Sequence, residues 1–413
     1  MTKADREARS HRIRDLPAYL FEDLVRTRIE TEKRGVDVVD LSLGDPDLGA
    51  PEVVVETLRE HAADKRLHSY TPPWAVERFS EAVARWMERR YGVALDPATE
   101  IHPIIGTKEG LAHLPPAMMD PGDVALVTDP GYPVYSRSVW FAGGAVEWLP
   151  IVEERRYLPD LGALAGKVAR LAFVNYPNNP TSAVAAPGFF SGLVDWARES
   201  GAYVVNDAAY AEITFDGARS PSILEVPGAK EVAVEFHSFS KTFNMAGWRV
   251  GFVAGNAGAV GALKTFKSNL DSGVFGPILL ASVAALEGGE ASYKASLNEY
   301  QARRELVVRC LARCGIQYFR SPATLYVWAR VPRARAAGRG GSADAPPGGR
   351  QAGSWGSMDF ARLLLEKAGV LVAPGAGFGR MGEGHFRISI TCPRPRIEEA
   401  GRRIEEISQL WRT

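Results

Sequence analysis

The residue best placed to do chemistry in this chain is Lys241, in the run SFSKTFNMAGWRVG at 238–251, directly after the apolar segment VAVEF. A lysine amine condenses with a carbonyl group only when it is unprotonated, and burial beside other cations lowers its pKa enough for that. Arg249 supplies such a cation, and Ser238 and Ser240 supply hydroxyl groups for an anion. The run therefore predicts a pocket for an aldehyde that carries a phosphate.

A second candidate for binding phosphate is the segment GTKEGLAHL at 106–114. Gly106 and Thr107 follow the strand-like stretch HPII and open a helical pattern. Backbone N–H groups and the positive dipole end at such a helix start would bind phosphate, and the Thr107 hydroxyl adds a donor. Taken alone, the same residues also fit an ordinary helix start.

Several short motifs occur in an order that chance rarely produces. From the N-terminus they are LSLGDPD, GTKEG, DPGYPVY, NNPT, NDAAY, SFSK, GWRVG and FRIS. With these motifs the sequence resembles the class I/II aminotransferases, fold-type I enzymes that use pyridoxal 5'-phosphate (PLP). Within that family, GTKEGLAHL, PGDVALVTDPGYPVY and KSNLDSGVF look most like the LL-diaminopimelate and alanine aminotransferase-like branch. The resemblance implies Lys241 as the Schiff-base lysine and Ser238 and Arg249 as phosphate ligands.

Three polar residues could each meet one polar group of the PLP ring. Asp207 ends AYVVND and could pair with a protonated pyridine nitrogen. Tyr210 and Asn179 could donate to the phenolate oxygen of the ring. In isolation, Asp207 would also fit a helix N-cap, and Asn179 with Pro180 would fit a turn. Because the three occur in the order typical of the family, we interpret all of them as cofactor ligands, and Asp207 and Tyr210 also as catalytic residues.

Two tyrosines complete the predicted cofactor site. Tyr132 in DPGYPVY could stack its ring on the pyridine ring, although a packed turn tyrosine is the alternative. Tyr70 in LHSYTPP matches a family position that reaches the phosphate of the neighbouring subunit. The resemblance therefore implies a homodimer with shared active sites.

The predicted substrate contacts are Arg387, Gly44 and, in addition to its role toward the cofactor, Asn179. Arg387 lies on the predicted strand HFRISI, an unusual place for a charge without a partner. A guanidinium binds a carboxylate through two hydrogen bonds, and the resemblance assigns Arg387 to the α-carboxylate of an amino acid. Gly44 in LSLGDPD fits a place where the backbone approaches the substrate closely.

Lys108 is the candidate for the far end of the substrate, and it could also contact the cofactor because it follows Thr107. A cation at a helix start is mildly unfavourable against the helix dipole, so another role is expected, although a solvated surface lysine is the alternative. Resemblance to diaminopimelate aminotransferases suggests that Lys108 meets a distal carboxylate. Glu109 could meet a distal amine or cap the helix.

The sequence departs from the usual family pattern at several positions. Ser182 replaces a glycine after NPT, and Ala208 replaces an acidic residue after Asp207. Ala75 and the pair Phe79-Ser80 replace a glycine and a Leu-Arg pair. None of these changes removes an expected cofactor contact, but each could reshape the substrate pocket.

Apolar runs that alternate with helical patterns between about 101 and 255 predict a largely parallel α/β sheet, with functional groups at the strands' carboxyl ends. The resemblance implies the α/β fold of type I PLP transferases, with a large domain at 46–288. A smaller α+β domain would combine 1–45 with 289–413. The segment 333–357 is rich in Gly, Ala, Arg and Pro and predicts a disordered insertion.

Composition limits the classes of partner. The 49 basic and 49 acidic residues cancel, so no global charge favours nucleic acid or an anionic membrane. The charged N-terminal segment and the lack of a long apolar run predict a cytoplasmic protein. The three cysteines, Cys310, Cys314 and Cys392, are expected to be buried thiols, and no metal site is predicted.

The resemblance implies an aminotransferase that moves an amino group from an L-amino acid to a 2-oxo acid such as 2-oxoglutarate. The donor would be LL-diaminopimelate, alanine or an acidic amino acid, and the two half-reactions would follow a ping-pong scheme. Two alternatives stay open at this point. One is another PLP enzyme, such as a C–S or β-eliminating lyase or a specialised biosynthetic enzyme, and the other is a PLP-binding regulatory module.

Overall fold

The computed structural model describes residues 10–16, 20–333 and 355–412. The strands are β1 (Val39–Asp40), β2 (Ile101–Ile104), β3 (Val124–Asp129), β4 (Ala145–Pro150), β5 (Leu171–Asn175), β6 (Tyr203–Asp207), β7 (Ala233–Ser238), β8 (Gly251–Gly255), β9 (Tyr326–Arg330), β10 (Val370–Leu371), β11 (Ala373–Pro374) and β12 (His385–Ser389). The helices are α1 (His11–Arg14), α2 (Leu20–Lys33), α3 (Glu52–Ala62), α4 (Pro73–Tyr91), α5 (Thr107–Met118), α6 (Val134–Ala142), α7 (Phe189–Ser200), α8 (Ala229–Val232), α9 (Phe239–Thr242), α10 (Ala257–Ser268), α11 (Gly276–Gly288), α12 (Glu290–Arg313), α13 (Ser357–Ala368) and α14 (Arg394–Glu406). Short 3-10 helices lie at Lys65–Leu67, Glu153–Arg155, Leu161–Leu164, Ile223–Glu225, Ala246–Trp248, Gly375–Phe378, Arg380–Gly382 and Ser408–Leu410.

The central sheet has seven strands in the order β2-β8-β7-β6-β5-β3-β4. Strands β3 to β7 pair in parallel, and β8 runs antiparallel to both of its neighbours, β7 and β2. The predicted α/β class with a mostly parallel central sheet is confirmed.

Helices cover both faces of this sheet. Alternate residues of each strand join different cores, one shared with α5, α6 and α10 and the other with α4, α7 and α11. Strands β5 and β7 are therefore buried along their whole length, which explains the apolar run LAFV of β5. The edge strand β4 is largely exposed, and its sequence lacks such a run.

Strands β5, β6 and β7 end at Asn175, Asp207 and Ser238. Asn175 and Asp207 are paired in register, so these ends lie side by side at one edge of the sheet. Ligands of open α/β sheets bind beyond the carboxyl ends of the strands. The fold thus places the predicted motifs where a ligand can reach them.

A second, three-stranded antiparallel sheet has the order β11-β12-β9. It shares a core with α12, α13 and α14 through residues such as Val307, Leu364 and Ile397. Strand β1 pairs in parallel with β10, so the chain near Val39 lies beside the C-terminal part. The domain limits 46–288, and 1–45 with 289–413, stay predictions.

The predicted insertion at 333–357 falls mainly on residues 334–354, which lie outside the described part of the chain. At its C-terminal side, the Trp355 ring lies 5.8 Å from Phe360 and 6.2 Å from Trp411, measured between ring centroids. Trp355 is therefore part of the apolar packing around α13.

The thiols of Cys310 and Cys314 are buried, Cys392 is partly buried, and all three are unbridged. Within residues 10–16, 20–333 and 355–412, no helix has the length and apolar character needed to cross a bilayer.

Candidate active site

A cavity of about 510 Å³ lies at the carboxyl ends of β5, β6 and β7. Its lining includes most residues predicted from the sequence: Gly44, Thr107, Lys108, Tyr132, Asn179, Asp207, Tyr210, Ser238, Ser240, Lys241, Arg249 and Arg387. The other lining residues are Leu43, Asp45, Tyr135, Asn175, Ala209, Ala246 and Tyr326. Two predicted residues, Gly106 and Tyr70, are not part of this lining.

Lys241 projects from α9, directly after β7. Its Nζ donates a hydrogen bond to the Gly44 carbonyl oxygen at 2.6 Å. The pKa of Lys241 is lowered to about 8, chiefly because burial disfavours the ammonium form. The charge of Asp45 opposes this shift, whereas the charges of Arg387 and Arg249 add to it. The neutral amine needed for attack on a carbonyl is thus accessible near neutral pH.

Asp207 is the buried carboxylate of the cavity. Its Oδ2 accepts a hydrogen bond from the Tyr135 hydroxyl at 2.7 Å, and its Oδ1 accepts one from the Ala209 N–H at 3.1 Å. Burial raises the pKa of Asp207 to about 6, against the two hydrogen bonds and the charge of His237, which lower it. A cation placed in the cavity would restore the ionised form.

Tyr210 and Tyr326 form a hydroxyl pair, with 2.7 Å between the two oxygens. Burial raises the pKa of Tyr210 well above its ordinary value, and the nearby Tyr326 hydroxyl raises it further. Tyr210 is therefore a neutral phenol that can donate a hydrogen bond.

The side chain of Arg387 is held on several sides and is only 1% exposed. Its Nη1 donates to Asn179 Oδ1 at 2.7 Å, and its Nη2 donates to the Ser42 carbonyl oxygen at 2.6 Å. The guanidinium carbon lies 3.9 Å from the centroid of the Tyr326 ring. These contacts fix the orientation of the guanidinium plane at the cavity wall.

Gly106 lies just behind the cavity, at the start of α5, with a φ of +79°. A Cβ at this position would lie 2.5 Å from Arg249 Nη2, so glycine allows the guanidinium to lie against the helix start. Arg249 also donates to the Ala246 carbonyl at 2.8 Å and to the Ile105 carbonyl at 3.3 Å.

Three hydroxyl groups line the same part of the cavity: Thr107 begins α5, Ser238 ends β7, and Ser240 lies in α9. Ser238 Oγ accepts a hydrogen bond from the Ser240 N–H at 3.1 Å. Because a hydroxyl can accept and donate together, Ser238 keeps its hydrogen for an anion. These hydroxyls, the start of α5 and Arg249 form a suitable set of donors for a phosphate.

Lys108, at the second position of α5, is exposed and lines the cavity. Glu109 has a different environment. Its Oε2 accepts the Ile105 N–H at 2.8 Å, and its Oε1 accepts from Lys267 Nζ at 2.8 Å. Glu109 thus binds the backbone just before the start of α5, and the two roles considered for it stay predictions.

Lys267 is the buried centre of this ion cluster. It is 3% exposed and also donates to Asp271 Oδ2 at 2.9 Å. Glu109, His113 and Asp271 bring possible metal ligands within 4.8 Å of one another. The ammonium group of Lys267 already pairs with both carboxylates, so we interpret the cluster as an ion-pair network that anchors α5 to the end of α10.

The structure gives a further reason for glycine at position 44, and its predicted approach to the substrate stays a prediction. A Cβ there would lie 1.9 Å from the Tyr326 hydroxyl oxygen, so glycine leaves room for that ring. The Gly44 carbonyl receives the Lys241 hydrogen bond, and the residue still lines the cavity.

Tyr70 lies on the surface, 82% exposed, and does not line the cavity of its own chain. The loop that carries it is tied down by Thr71, whose hydroxyl lies 2.6 Å from the Val274 carbonyl and 3.1 Å from the Ser272 carbonyl. The surrounding segments also expose the large apolar side chains Trp74, Leu270 and Phe275.

The departures from the family pattern lie outside the cavity lining. Ala75, Phe79, Ser80, Ser182 and Ala208 are all buried, and Phe79 packs 5.9 Å from Phe239 between ring centroids. Any effect of these residues on a substrate must therefore act through their neighbours.

Sequence reasoning missed Tyr135, Asn175, Tyr326 and Asp45. Tyr135 and Asp45 lie within motifs used for the prediction, DPGYPVY and LSLGDPD, and Asn175 directly precedes YPNNP. Tyr326 begins β9 in the predicted strand ATLYVWARV, where its direction depends on strand register.

The family model for aminotransferase class I and II matches residues 36–404. The chain belongs to the class I and II aminotransferases. Like the family, it is a PLP-dependent transaminase, so the predicted fold type, enzyme class and cofactor are confirmed.

Similar aminotransferases match over almost the whole chain. An LL-diaminopimelate aminotransferase of Desulforudis audaxviator is 48% identical over 396 residues, which cover 95% of this chain and 96% of the relative. One from Nitratidesulfovibrio vulgaris is 44% identical over 400 residues, with 96% and 98% covered. Among solved structures, substrate-bound BacF of Bacillus subtilis has a TM-score of 0.87 at 33% identity, with 97% and 98% covered.

The residues of this aminotransferase fit PLP on their own chemistry. Lys241 has a lowered pKa, which favours the neutral amine. Asp207 is a buried carboxylate whose ionised form a nearby cation would stabilise. The hydroxyl groups near α5 suit a phosphate. The glycine at 106 leaves room for the Arg249 guanidinium beside the start of α5.

Proposed function

We propose that this transaminase takes an amino group from LL-diaminopimelate and passes it to a 2-oxo acid such as 2-oxoglutarate, in two successive half-reactions. The observation that carries the proposal is that two cations from different parts of the chain, Arg387 and Lys108, line the cavity that holds Lys241. LL-diaminopimelate carries two carboxylates, and so does 2-oxoglutarate. The names of the similar proteins from Desulforudis and Nitratidesulfovibrio support the same donor.

Bound PLP supplies an aldehyde for the substrate amine and a ring that withdraws electrons from the substrate Cα. Lys241 would hold the cofactor covalently and, once released, carry the proton from Cα. Its lowered pKa supports both roles, because a neutral amine is both a nucleophile and a general base.

Ring contacts would come from four residues. Asp207 would pair with the ring nitrogen, while Tyr210 and Asn179 would donate to the phenolate oxygen. Tyr132 would cover one face of the ring. The buried position of Asp207 makes this pairing strong, because a charge pair is weakly screened away from water.

The phosphate would lie where α5 begins. Gly106, Thr107, Ser238, Ser240 and Arg249 would form its binding site, since their backbone and side chains place several donors at one corner of the cavity. Lys108 is close enough in sequence to contribute positive charge there, in addition to its role toward the substrate.

Arg387 would bind the substrate α-carboxylate, and Lys108 the distal one. Asp45 lines the same cavity and offers a carboxylate for the second amine of LL-diaminopimelate. Gly44 would contribute through its backbone, close to both the substrate and Lys241.

A homodimer and a cytoplasmic location are part of the proposal. Tyr70 would enter the cavity of the partner subunit and contact the phosphate there. Its exposure, together with that of Trp74, Leu270 and Phe275, supports an interface on this face.

The test is a panel of amino donors with purified, PLP-loaded enzyme and 2-oxoglutarate, with glutamate and the new oxo acid measured as products. We expect LL-diaminopimelate to give the highest kcat/KM, with glutamate and oxo acid formed in equal amounts. Better turnover of alanine would reject the proposed donor. Release of ammonia or sulfide without 2-oxoglutarate would indicate a lyase.

A further inference from the structure

Two residues with left-handed backbone conformations face each other just outside the cavity. Ser182 has a φ of +64° and Thr324 a φ of +67°, and both side chains are almost fully buried. Such conformations are uncommon for residues other than glycine, and for a β-branched residue such as threonine they are genuine outliers. Strained residues of this kind persist only where the surrounding structure holds them in place.

Hydrogen bonds among Ser182, Thr324 and the Tyr326 backbone hold the two residues in place. Ser182 Oγ donates to the Tyr326 carbonyl at 2.9 Å and lies 2.5 Å from Thr324 Oγ1. Thr324 Oγ1 accepts the Tyr326 N–H at 3.1 Å. The Thr324 hydroxyl can therefore donate to Ser182, and both hydroxyls are satisfied in one arrangement of hydrogens.

This pair connects two of the neighbours of Arg387, Asn179 and Tyr326. Asn179, three residues before Ser182, accepts a hydrogen bond from Arg387 Nη1 at 2.7 Å. Tyr326, two residues after Thr324, lies with its ring 3.9 Å from the Arg387 guanidinium carbon. A single pair of hydroxyls thus ties the loop on one side of Arg387 to the strand on the other, although Ser182 itself does not line the cavity.

We infer that Ser182 and Thr324 are positioning residues that fix Asn179 and Tyr326 against Arg387 and so set the affinity for the α-carboxylate of the substrate. The inference rests on the proposed role of Arg387. Neither hydroxyl touches the substrate, and the pair acts only through the two neighbours of the guanidinium.

The test compares Ser182→Ala and Thr324→Ala with Thr324→Ser, which keeps the hydroxyl. We expect both alanine variants to raise KM for the amino donor and for 2-oxoglutarate by about 3- to 10-fold, the loss of one buried hydrogen bond. Both should raise KM more than they lower kcat, and Thr324→Ser should behave as wild type. Ser282→Ala is the matched control, because that buried hydroxyl donates to its own helix at the Ile278 carbonyl, 2.8 Å away.

A double variant with Arg387→Met separates the possible outcomes. If Ser182 acts through Arg387, adding Ser182→Ala to Arg387→Met should raise KM no further, because residues of one network are not additive. An equal rise in both backgrounds, or an unchanged KM in Ser182→Ala alone, would overturn the inference and leave the role of Arg387 intact. An unchanged KM in Arg387→Met would reject the carboxylate role of Arg387 and the inference with it. Should Ser182→Ala fold poorly, Ser182→Gly removes the same hydroxyl and suits the positive φ.

Discussion

Tyr135 donates its hydroxyl hydrogen to Oδ2 of Asp207 across 2.7 Å, inside a cavity where Asp207 is only 5% exposed. The hydrogen bond favours the ionised carboxylate, but burial outweighs it and raises the pKa of Asp207 to about 6. Without a cation beside it, this carboxylate costs the folded protein stability at neutral pH. The site is built for a positively charged partner at that point.

Asp207→Asn should therefore stabilise the PLP-free protein above pH 6 while it weakens PLP binding. Between about pH 4 and 6 the folded protein holds a proton on Asp207 that the unfolded chain has already lost, so stability falls as the pH rises through this window. The asparagine avoids that loss, a gain on the order of 3 kcal/mol at pH 8 that shrinks toward pH 4. Urea unfolding at both pH values measures it, with the surface variant Asp195→Asn as control. A less stable Asp207→Asn protein at pH 8 would contradict this account.

Lys241→Ala should abolish covalent attachment of PLP, as measured by borohydride reduction followed by mass spectrometry, and leave part of the noncovalent binding. Lys108→Ala is the matched control, because Lys108 lines the same cavity and should not be needed for attachment. A reduced adduct that survives in Lys241→Ala would show that another lysine carries the cofactor.

The lowered pKa of Lys241 also predicts how attachment depends on pH. The neutral amine becomes the main form above a pH of about 8, so the rate of PLP attachment to the apoenzyme should rise up to that pH and then level off. Stopped-flow absorbance after mixing with PLP measures this rate. A rise that continues toward pH 10 would show that burial does not shift the amine.

Mixed dimers should show whether Tyr70 acts in the partner subunit. In a dimer of one Tyr70→Phe chain and one Lys241→Ala chain, each site would take Lys241 from one chain and Tyr70 from the other. One site then carries both substitutions, and the other site carries neither. About half of randomly reassorted dimers are mixed, so roughly a quarter of all sites should regain full activity. Activity no higher than that of either parent would indicate that Tyr70 acts within its own chain or is structural.

Lys108→Met should weaken recognition of the distal end of the substrate. The loss of one charge-assisted contact, about 1.5 to 3 kcal/mol, should raise KM for dicarboxylic substrates by about 10- to 100-fold and leave alanine almost unaffected. Steady-state kinetics with both substrates provide the measurement, and Lys264→Met, an exposed lysine of α10, is the control. Equal losses with both substrates would point instead to damage at the phosphate site.

The resemblance to the family located most of the cavity, and the strand ends could be predicted from the sequence pattern itself. Asp207 and Ser238 are the last residues of β6 and β7, and the alternation of apolar runs with helical patterns was sufficient to find those ends. Lys241 follows from the same argument, and its low pKa was expected from burial near other cations.

The remaining contacts join parts of the chain that no local pattern relates. The Tyr326 ring occupies the space that a side chain at position 44 would need. Lys267 forms a hydrogen bond with Glu109, 158 residues away in the sequence. The sequence therefore left two roles open for Glu109, a contact with the substrate and a helix cap. Likewise, the partners of the Ser182 hydroxyl lie more than 140 residues away, so only its departure from the family pattern was visible.

The site brings together residues that lie far apart in the sequence. Arg387 Nη2 bonds to the Ser42 carbonyl across 345 residues, and Lys241 Nζ bonds to the Gly44 carbonyl across 197. Such distant contacts close late in folding, because the entropy of closing a long loop must be met first. A chain still emerging from the ribosome lacks β12 and with it the wall that Arg387 provides. That wall of the cavity is thus complete only when β12 has folded, and bound PLP then shifts the folding equilibrium further toward the folded enzyme by mass action.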